Sequence, residues 1–153
     1  MIAVIQRINS ATVYADGELS GTVGKGLYIL LGVAAGDDDN DAILLAEKIS
    51  KLRIFNDENG KMNLSVNDIC GEALIVSNFT LNANYSHGNR PDYLLSAPPA
   101  RARELYELFI SELSKRVRRV EHGVFGADMR TEMSTDGPVT IVMHSEVLRG
   151  GKK

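Results

Sequence analysis

One cysteine and three histidines in 153 residues leave little of the usual equipment for catalysis. The single thiol, Cys70, excludes an internal disulfide framework and suits a reducing cytoplasm. A zinc site needs several cysteine or histidine donors at close spacing, and Cys70, His87, His122 and His144 do not provide them. None of the histidines stands in a motif that would make it the base for a serine or cysteine nucleophile. Long hydrophobic runs are missing as well. Met1 to Ile5 meets Gln6 and Arg7 at once, too short for a signal-peptide core, and no apolar stretch approaches the ~20 residues of a membrane span. The glycines at 21, 24 and 26 fall between strands, not in a strand-to-helix turn, so no phosphate-cradling loop is indicated. Asp57-Glu58-Asn59-Gly60 lacks the ligand spacing of a calcium loop. Nor is there an excess of positive charge: the net charge is −3, which argues against coating nucleic acid but permits gripping a single RNA end. The expectation is a soluble cytoplasmic protein with no metal, no cofactor and no membrane contact.

What is present reads as one domain over residues 1–153, with 44% apolar and 24% charged residues, both ordinary globular values. Residues 2–8 read as a strand. Thr12–Ala15 and Glu18–Val23 read as a hairpin, because Asp16-Gly17 supplies the positive-φ residues of a tight turn. The apolar run Leu27–Val33 is expected at the sheet centre. Aspartates at 37–41 precede a helical stripe of Ala42, Leu45, Ala46, Ile49 and Leu52, and capping explains them better than a cation site. Arg53–Phe55 reads as a short strand and Ala73–Leu81 as a longer one, followed by a long surface loop over 82–98. Ser96, Pro98 and Pro99 open a second helix with the stripe Ala102, Leu105, Tyr106, Phe109, Ile110 and Leu113. Three strands at about 119–125, 128–134 and 139–144 precede a polar, frayed tail from Arg149 to Lys153. The fold class is therefore α/β: a mixed, strongly curved, barrel-like sheet with two helices packed outside it.

Two short segments are left to carry chemistry. Ser77-Asn78-Phe79-Thr80-Leu81 brings two hydroxyls and its backbone N–H groups to a strand end. Backbone donors aimed at a developing oxyanion lower a barrier by ~3–4 kcal/mol each without any histidine. Asp136-Gly137-Pro138-Val139-Thr140 carries a stiff Gly-Pro pair. Taken alone, the first is a strand whose hydroxyls are satisfied by neighbouring carbonyls and the second a hairpin turn led by Asp136. Lys115-Arg116-Val117-Arg118-Arg119, with Lys152 and Lys153, is a weak candidate for a phosphate-facing surface, and a solvated helix end explains the cluster equally.

Taken together, the motifs are more specific than any one alone. They include Gln6-Arg7, Ala11-Thr12-Val13, Leu52-Arg53-Ile54-Phe55, Gly60–Val66, Val76–Leu81, Gly88-Asn89-Arg90-Pro91, Gly123–Met129 and Asp136–Thr140. In this order, over essentially the whole chain, the sequence resembles the D-aminoacyl-tRNA deacylase family. The resemblance implies a homodimer that hydrolyses the ester between a D-amino acid and the 3′-terminal adenosine of tRNA, with mischarged glycine as a second substrate. It implies a cis Gly137-Pro138 bond whose carbonyl oxygens face the substrate amine in the partner's pocket. Ser77, Asn78, Phe79 and Thr80 would form the ester site, with backbone N–H groups near 78 and 79 polarising the carbonyl. Water assisted by the RNA 2′-hydroxyl is preferred over Thr80 as nucleophile, since no base is visible to activate Thr80. Phe125 and Met129 would hold the terminal adenine. The family usually has glutamine where this chain has Asn78, and asparagine where it has Thr135, so reduced or retuned activity, and not loss, is expected. The alternative is a non-catalytic RNA-end or small-ligand binding protein on the same fold.

Overall fold

The computed structural model describes residues 1–150, so Lys152 and Lys153 lie outside the described residues. The chain runs β1 Ile2–Ala15, β2 Glu18–Val23, β3 Gly26–Gly32, α1 Asp39–Ser50, β4 Phe55–Asn56, β5 Met62–Leu64 and β6 Glu72–Ser77. It continues through a 3-10 turn at Phe79–Asn82, then α2 Pro99–Ser114, β7 Val120–His122, β8 Met129–His144 and α3 Ser145–Arg149. The main sheet has the order β2-β1-β3-β6-β7, with β8 paired to β1 alone. β3 pairs antiparallel to β1 and parallel to β6, and β7 is parallel to β6, so the sheet is mixed. It curls until β2 approaches β7, where the Ser20 hydroxyl donates to the His122 carbonyl at 2.9 Å. The curved sheet and the central place of Leu27–Val33 match the sequence expectation. Asp16 and Gly17 hold φ of 49° and 83° in the β1–β2 turn.

Curling gives the sheet two cores. One face, through Ala3, Ile5, Leu27, Ile29, Leu31, Ala73 and Ile75, packs against Ala42, Leu45 and Ile49 of α1 and Leu105, Phe109 and Leu113 of α2. The other encloses Ile8, Ala11, Val13, Val23, Tyr28, Leu74 and Val76. β1 serves both because its inward positions change parity between Ile8 and Ala11, where exposed Asn9 and Ser10 interrupt the alternation. The sequence reading stopped the first strand at that break. The chain instead continues as one strand of 14 residues, because β8 pairs along its length.

β8 likewise replaces two expected strands with one. Thr140 pairs with Gln6 and Thr135 with Ile8, so Asp136, Gly137 and Pro138 have no counterpart on β1 and bulge out of the ladder. The expected hairpin turn is thus a bulge inside a 16-residue strand. The hairpin reading fails because Thr140–His144 resumes pairing with the same neighbour, β1, and does not fold back.

A third helix, Ser145–Arg149, forms in residues the sequence reading left unassigned and takes in Arg149, the first residue of the expected tail, of which 151–153 lie outside the described residues. Arg149 in α3 is ion-paired to Asp38 at 2.6 Å and to Asp41, and its Nε donates to Asp41 Oδ1 at 2.7 Å. Asp38 caps α1, and Asp41 closes the capping box by accepting from the Asp38 N–H at 2.8 Å. Capping, as expected, accounts for the aspartates. Burial works to raise the pKa of Asp41, but the hydrogen bonds from Arg149, the Asp38 N–H and Ser145 prevail and hold it at about 2. A pKa below the unfolded value stabilises the folded state fully above pH ~4, and this is lost as pH falls from ~4 towards 2. Asp41→Asn is therefore expected to lower stability by about 2 kcal/mol at pH 7, with the difference from wild type closing as pH falls to 2. Urea unfolding at both pH values measures it.

Candidate active site

β6 leaves the sheet at Ser77, so Asn78–Leu81 is not the strand end that was expected. The chain turns because Asn78 packs onto Gly32, where a Cβ would lie 3.0 Å from the Asn78 carbonyl oxygen and from Leu81 Cβ. Only glycine at 32 leaves that room. The Asn78 N–H donates to the Leu31 carbonyl at 2.8 Å, closing the last rung of the ladder. Buried Asn82 then pins the far end of the turn by donating to the Val33 carbonyl at 3.0 Å. Ser96 donates its hydroxyl to the Phe79 carbonyl at 3.2 Å, tying the 82–98 loop to the same turn.

A cavity of about 680 Å³ opens beside this turn, within the size range of small-molecule sites. Ser77, Asn78 and Phe79 form one wall, Tyr93 and Leu94 with the Ser96–Pro99 segment and Ala102 a second, and Phe125 to Ala127 with Met129 a third. Phe79 meets Tyr93 edge-on with ring centroids 5.0 Å apart, and Phe125 rests against Tyr106 at 5.7 Å. Ser77, Asn78, Phe79, Phe125 and Met129 are thus brought together as expected. Thr80 is not among them: it is exposed, and its hydroxyl donates to Asn78 Oδ1. Gly137 and Pro138 are not among them either. Following the register from Ser77 through Leu31 and Ala3 to Met143, then along β8 to the bulge opposite Arg7, puts Gly137 about 20 Å away.

Among the described residues, no side chain charged at neutral pH lines the cavity. His87 is exposed, His122 lines a different hollow beside α2, and His144 lies near Met1 and Asp37. That last region holds a cavity of about 690 Å³, but its charged groups already engage one another, as in the 2.6 Å pair of the Met1 amine with Asp37. Among the described residues no group of three or more His, Cys, Asp or Glu side chains converges as metal ligands. What remains in the candidate site is neutral. The Ser77 hydroxyl has no protein partner among the described residues, and the N–H groups of Phe79 and Thr80 open the 3-10 turn without a backbone acceptor. Of these two, only Phe79 lines the cavity. Of the two amide donors expected near 78 and 79, the Asn78 N–H is occupied by Leu31 and the Phe79 N–H is left facing the cavity side of the turn. Tyr93, Leu94, Ser96 and Ala102 were missed in the sequence. Their segment carries only a helix-start signal, and the enclosing role comes from folding the 82–98 loop over the turn.

The Gly137-Pro138 peptide is cis, and Gly137 has φ +130°. Buried Arg7 grips the bulge, its Nε 3.2 Å from the Asp136 carbonyl oxygen and 3.1 Å from the Asp136 carboxylate. Its Nη1 donates to the Ile54 carbonyl at 2.8 Å and to Asn56 Oδ1 at 3.3 Å. Every cation of the basic run 115–119 has a carboxylate partner: Lys115 and Arg116 pair with Glu112, Arg118 with Glu72, and Arg119 with Glu72 and Glu121.

Comparison with known proteins places these features. The model of the D-Tyr-tRNA(Tyr) deacylase family matches residues 4–144. The chain belongs to this family. A D-aminoacyl-tRNA deacylase of Persephonella marina is 51% identical over 97% of this chain and 100% of its own length. One from Anaeromyxobacter dehalogenans is 50% identical over 97% and 99%. The solved c-Myc DNA unwinding element binding protein is 39% identical with a TM-score of 0.88, covering 94% of this chain and 98% of its own. A probable eukaryotic D-amino acid tRNA deacylase, 13% identical, shares the fold with a TM-score of 0.80 over 93% of this chain and 97% of its own.

The Thr80 hydroxyl is engaged by Asn78 and Thr80 does not line the cavity, which argues against a nucleophile. Thr80→Ala is expected to keep most D-tyrosyl-tRNA deacylation, well short of the ~10²–10³-fold loss that follows removal of an oxyanion donor. Near-complete loss in a folded variant would restore the nucleophilic role.

Proposed function

We propose that this chain hydrolyses the ester joining a D-amino acid to the 3′-terminal adenosine of tRNA, in the cytoplasm and as a homodimer. The observation that carries the reading is a cavity with no ionised side chain, at a turn that presents one hydroxyl and one free amide, in a chain of the deacylase family. The adenine enters between Phe125 and Met129, and the ester carbonyl accepts from the Phe79 N–H with Ser77 alongside. Water adds to the carbonyl carbon, the 3′-oxygen leaves with a proton, and the adjacent 2′-hydroxyl of the RNA orients the water. Catalysis is by position and fixed dipoles, since the site has no residue that takes up a proton at neutral pH.

Chirality is read by main chain. The carbonyl oxygens of Gly137 and Pro138 accept from the substrate ammonium. With amine and ester carbonyl both pinned, an L side chain collides with that backbone, a D side chain points outward, and glycine passes. Gly137 and Ser77 are about 20 Å apart in one copy, so on this reading the two segments meet between copies. Support for such an assembly lies on β1, β3 and β8. Val4 pairs with both Leu30 and Val142, forming an apolar row in which Val142 is 59% exposed. The 137–138 bulge and the 77–79 turn lie at opposite ends of this face. A two-fold axis through its middle brings each against the other.

D-Tyrosyl-tRNA is expected to be cleaved and L-tyrosyl-tRNA spared, and a D-tyrosyl-tRNA ending in 2′-deoxyadenosine to be cleaved far more slowly. The alternative, a non-catalytic RNA-end binder, protects both esters; the name of the 39%-identical structure keeps that outcome in view. Full-rate cleavage of the deoxy substrate removes the 2′-hydroxyl from the mechanism. Val142→Asp places a charge in the apolar face and is expected to give monomers by light scattering, with kcat/KM lower by roughly tenfold or more. Monomeric wild type, or an active monomeric variant, overturns the shared site.

A further inference from the structure

Phe125 has two open sides. One lines the candidate active site and the other a hollow of about 350 Å³ between the outer face of α2 and the end of β7. Val124 and Phe125 are the apolar part of its strand-side wall, and Val124 is 50% exposed. The helix contributes Arg103, Glu107, Ile110 and Ser111, which follow one another at helical spacing on one face. Arg103 Nε and Glu107 Oε1 are paired at 2.9 Å, both more than half exposed, so they present a donor and an acceptor side by side at little cost in rearrangement. His122 Nδ1 lies 2.7 Å from the Gly123 carbonyl, which leaves Nε2 as its free polar atom.

We propose, resting on the deacylase reading above, that this hollow is the subsite for the cytidine that precedes the terminal adenosine of tRNA. With the adenine on the Met129 side of Phe125, the chain's next nucleotide has Phe125 itself as a shared wall. A cytosine Watson–Crick edge offers one exocyclic amine and two acceptors, N3 and O2. Glu107 accepts from the amine, as acidic side chains do from cytosine, and Arg103 donates to N3 and O2. The base face rests on Val124 and Ile110. A uracil reverses the pattern, placing a carbonyl against the Glu107 carboxylate. The protein therefore reads the RNA end beyond the adenosine through a neutral ion pair and not through the basic run at 115–119, whose cations are already matched.

The test uses short RNA hairpins ending CCA or CUA, chemically charged with D-tyrosine. Wild-type enzyme is expected to lose on the order of tenfold in kcat/KM on the CUA substrate. Glu107→Ala is expected to raise KM for the CCA substrate with kcat held, and to abolish the preference between the two. Glu104→Ala, on the same helix but outside the hollow and paired with Arg101, is expected to change neither. Equal cleavage of both hairpins by wild type, or a preserved preference in Glu107→Ala, overturns the subsite while leaving the deacylase reading intact. Failure to cleave either hairpin overturns the reading on which it rests.

Discussion

The buried guanidinium of Arg7 is the interaction on which the remaining geometry depends. A cation removed from water is costly unless its donors are matched, and here the Ile54 carbonyl, the Asn56 side chain and both the carbonyl and carboxylate of Asp136 match them. The same contacts join three otherwise separate parts of the fold: β1, the strand after α1, and the bulge of β8. Without them, the three extra residues of β8 would form an exposed loop held only at its ends. With them, Asp136 is fixed by two bonds to one rigid planar group, and Gly137-Pro138 follows with little freedom. In the proposed reaction a wall of backbone selects between mirror-image substrates only if it does not yield, and the contacts of Arg7 with Asp136 are what would stiffen it.

The turn at 77–82 obeys a different logic. It is held by neutral groups: the Asn78 N–H to Leu31, Asn82 to Val33, Ser96 to Phe79, and Gly32 beneath it all. Charge is excluded from the cavity and collected elsewhere, in the Asp38-Asp41-Arg149 cluster and around Glu72 and Glu112. An uncharged site keeps the effective dielectric low, so a single amide dipole at Phe79 counts for more than it would beside water and mobile ions. The two halves of the proposed chemistry are therefore built by opposite means. One end of the chain is fixed by a paired charge and the other by its absence.

Much of this was legible in the sequence where local and tertiary signals agree. The apolar run of β3, the Asp16-Gly17 turn, the α1 cap and the α2 stripe are decided by neighbours close in sequence. The continuous strands β1 and β8 were not legible. Their interruptions at Asn9-Ser10 and at Asp136–Pro138 look like strand ends locally, and only mutual pairing over the full length overrides that. Ser77, Asn78, Phe79, Phe125 and Met129 were found through the family motifs and do meet around one cavity. Tyr93, Ser96 and Ala102 could not be found, since a loop closing over a turn leaves no periodic trace. The basic run was misleading because its counter-charges, Glu72 and Glu112, come from elsewhere in the chain and from the preceding helix turn.

The departure at Asn78 acquires a specific meaning from this geometry. A longer glutamine would carry its amide past Thr80, whereas the Asn78 oxygen stops where it accepts the Thr80 hydroxyl. The side chain is thereby turned onto its own 3-10 turn, with the Thr80 hydroxyl as its donor. The backbone is untouched by the change, because the Asn78 N–H is committed to Leu31 whatever the side chain. Shortening the residue thus leaves the Phe79 amide in place and adds a local bond that stiffens the segment holding it. At Thr135 the substitution falls beside the bulge, where the Thr135 carbonyl accepts weakly from Asn9 at 3.5 Å, a main-chain contact available to any residue. Both departures alter side chains, whereas the groups the proposed chemistry uses are main chain, which is the physical reason to expect activity to be reduced or retuned and not lost.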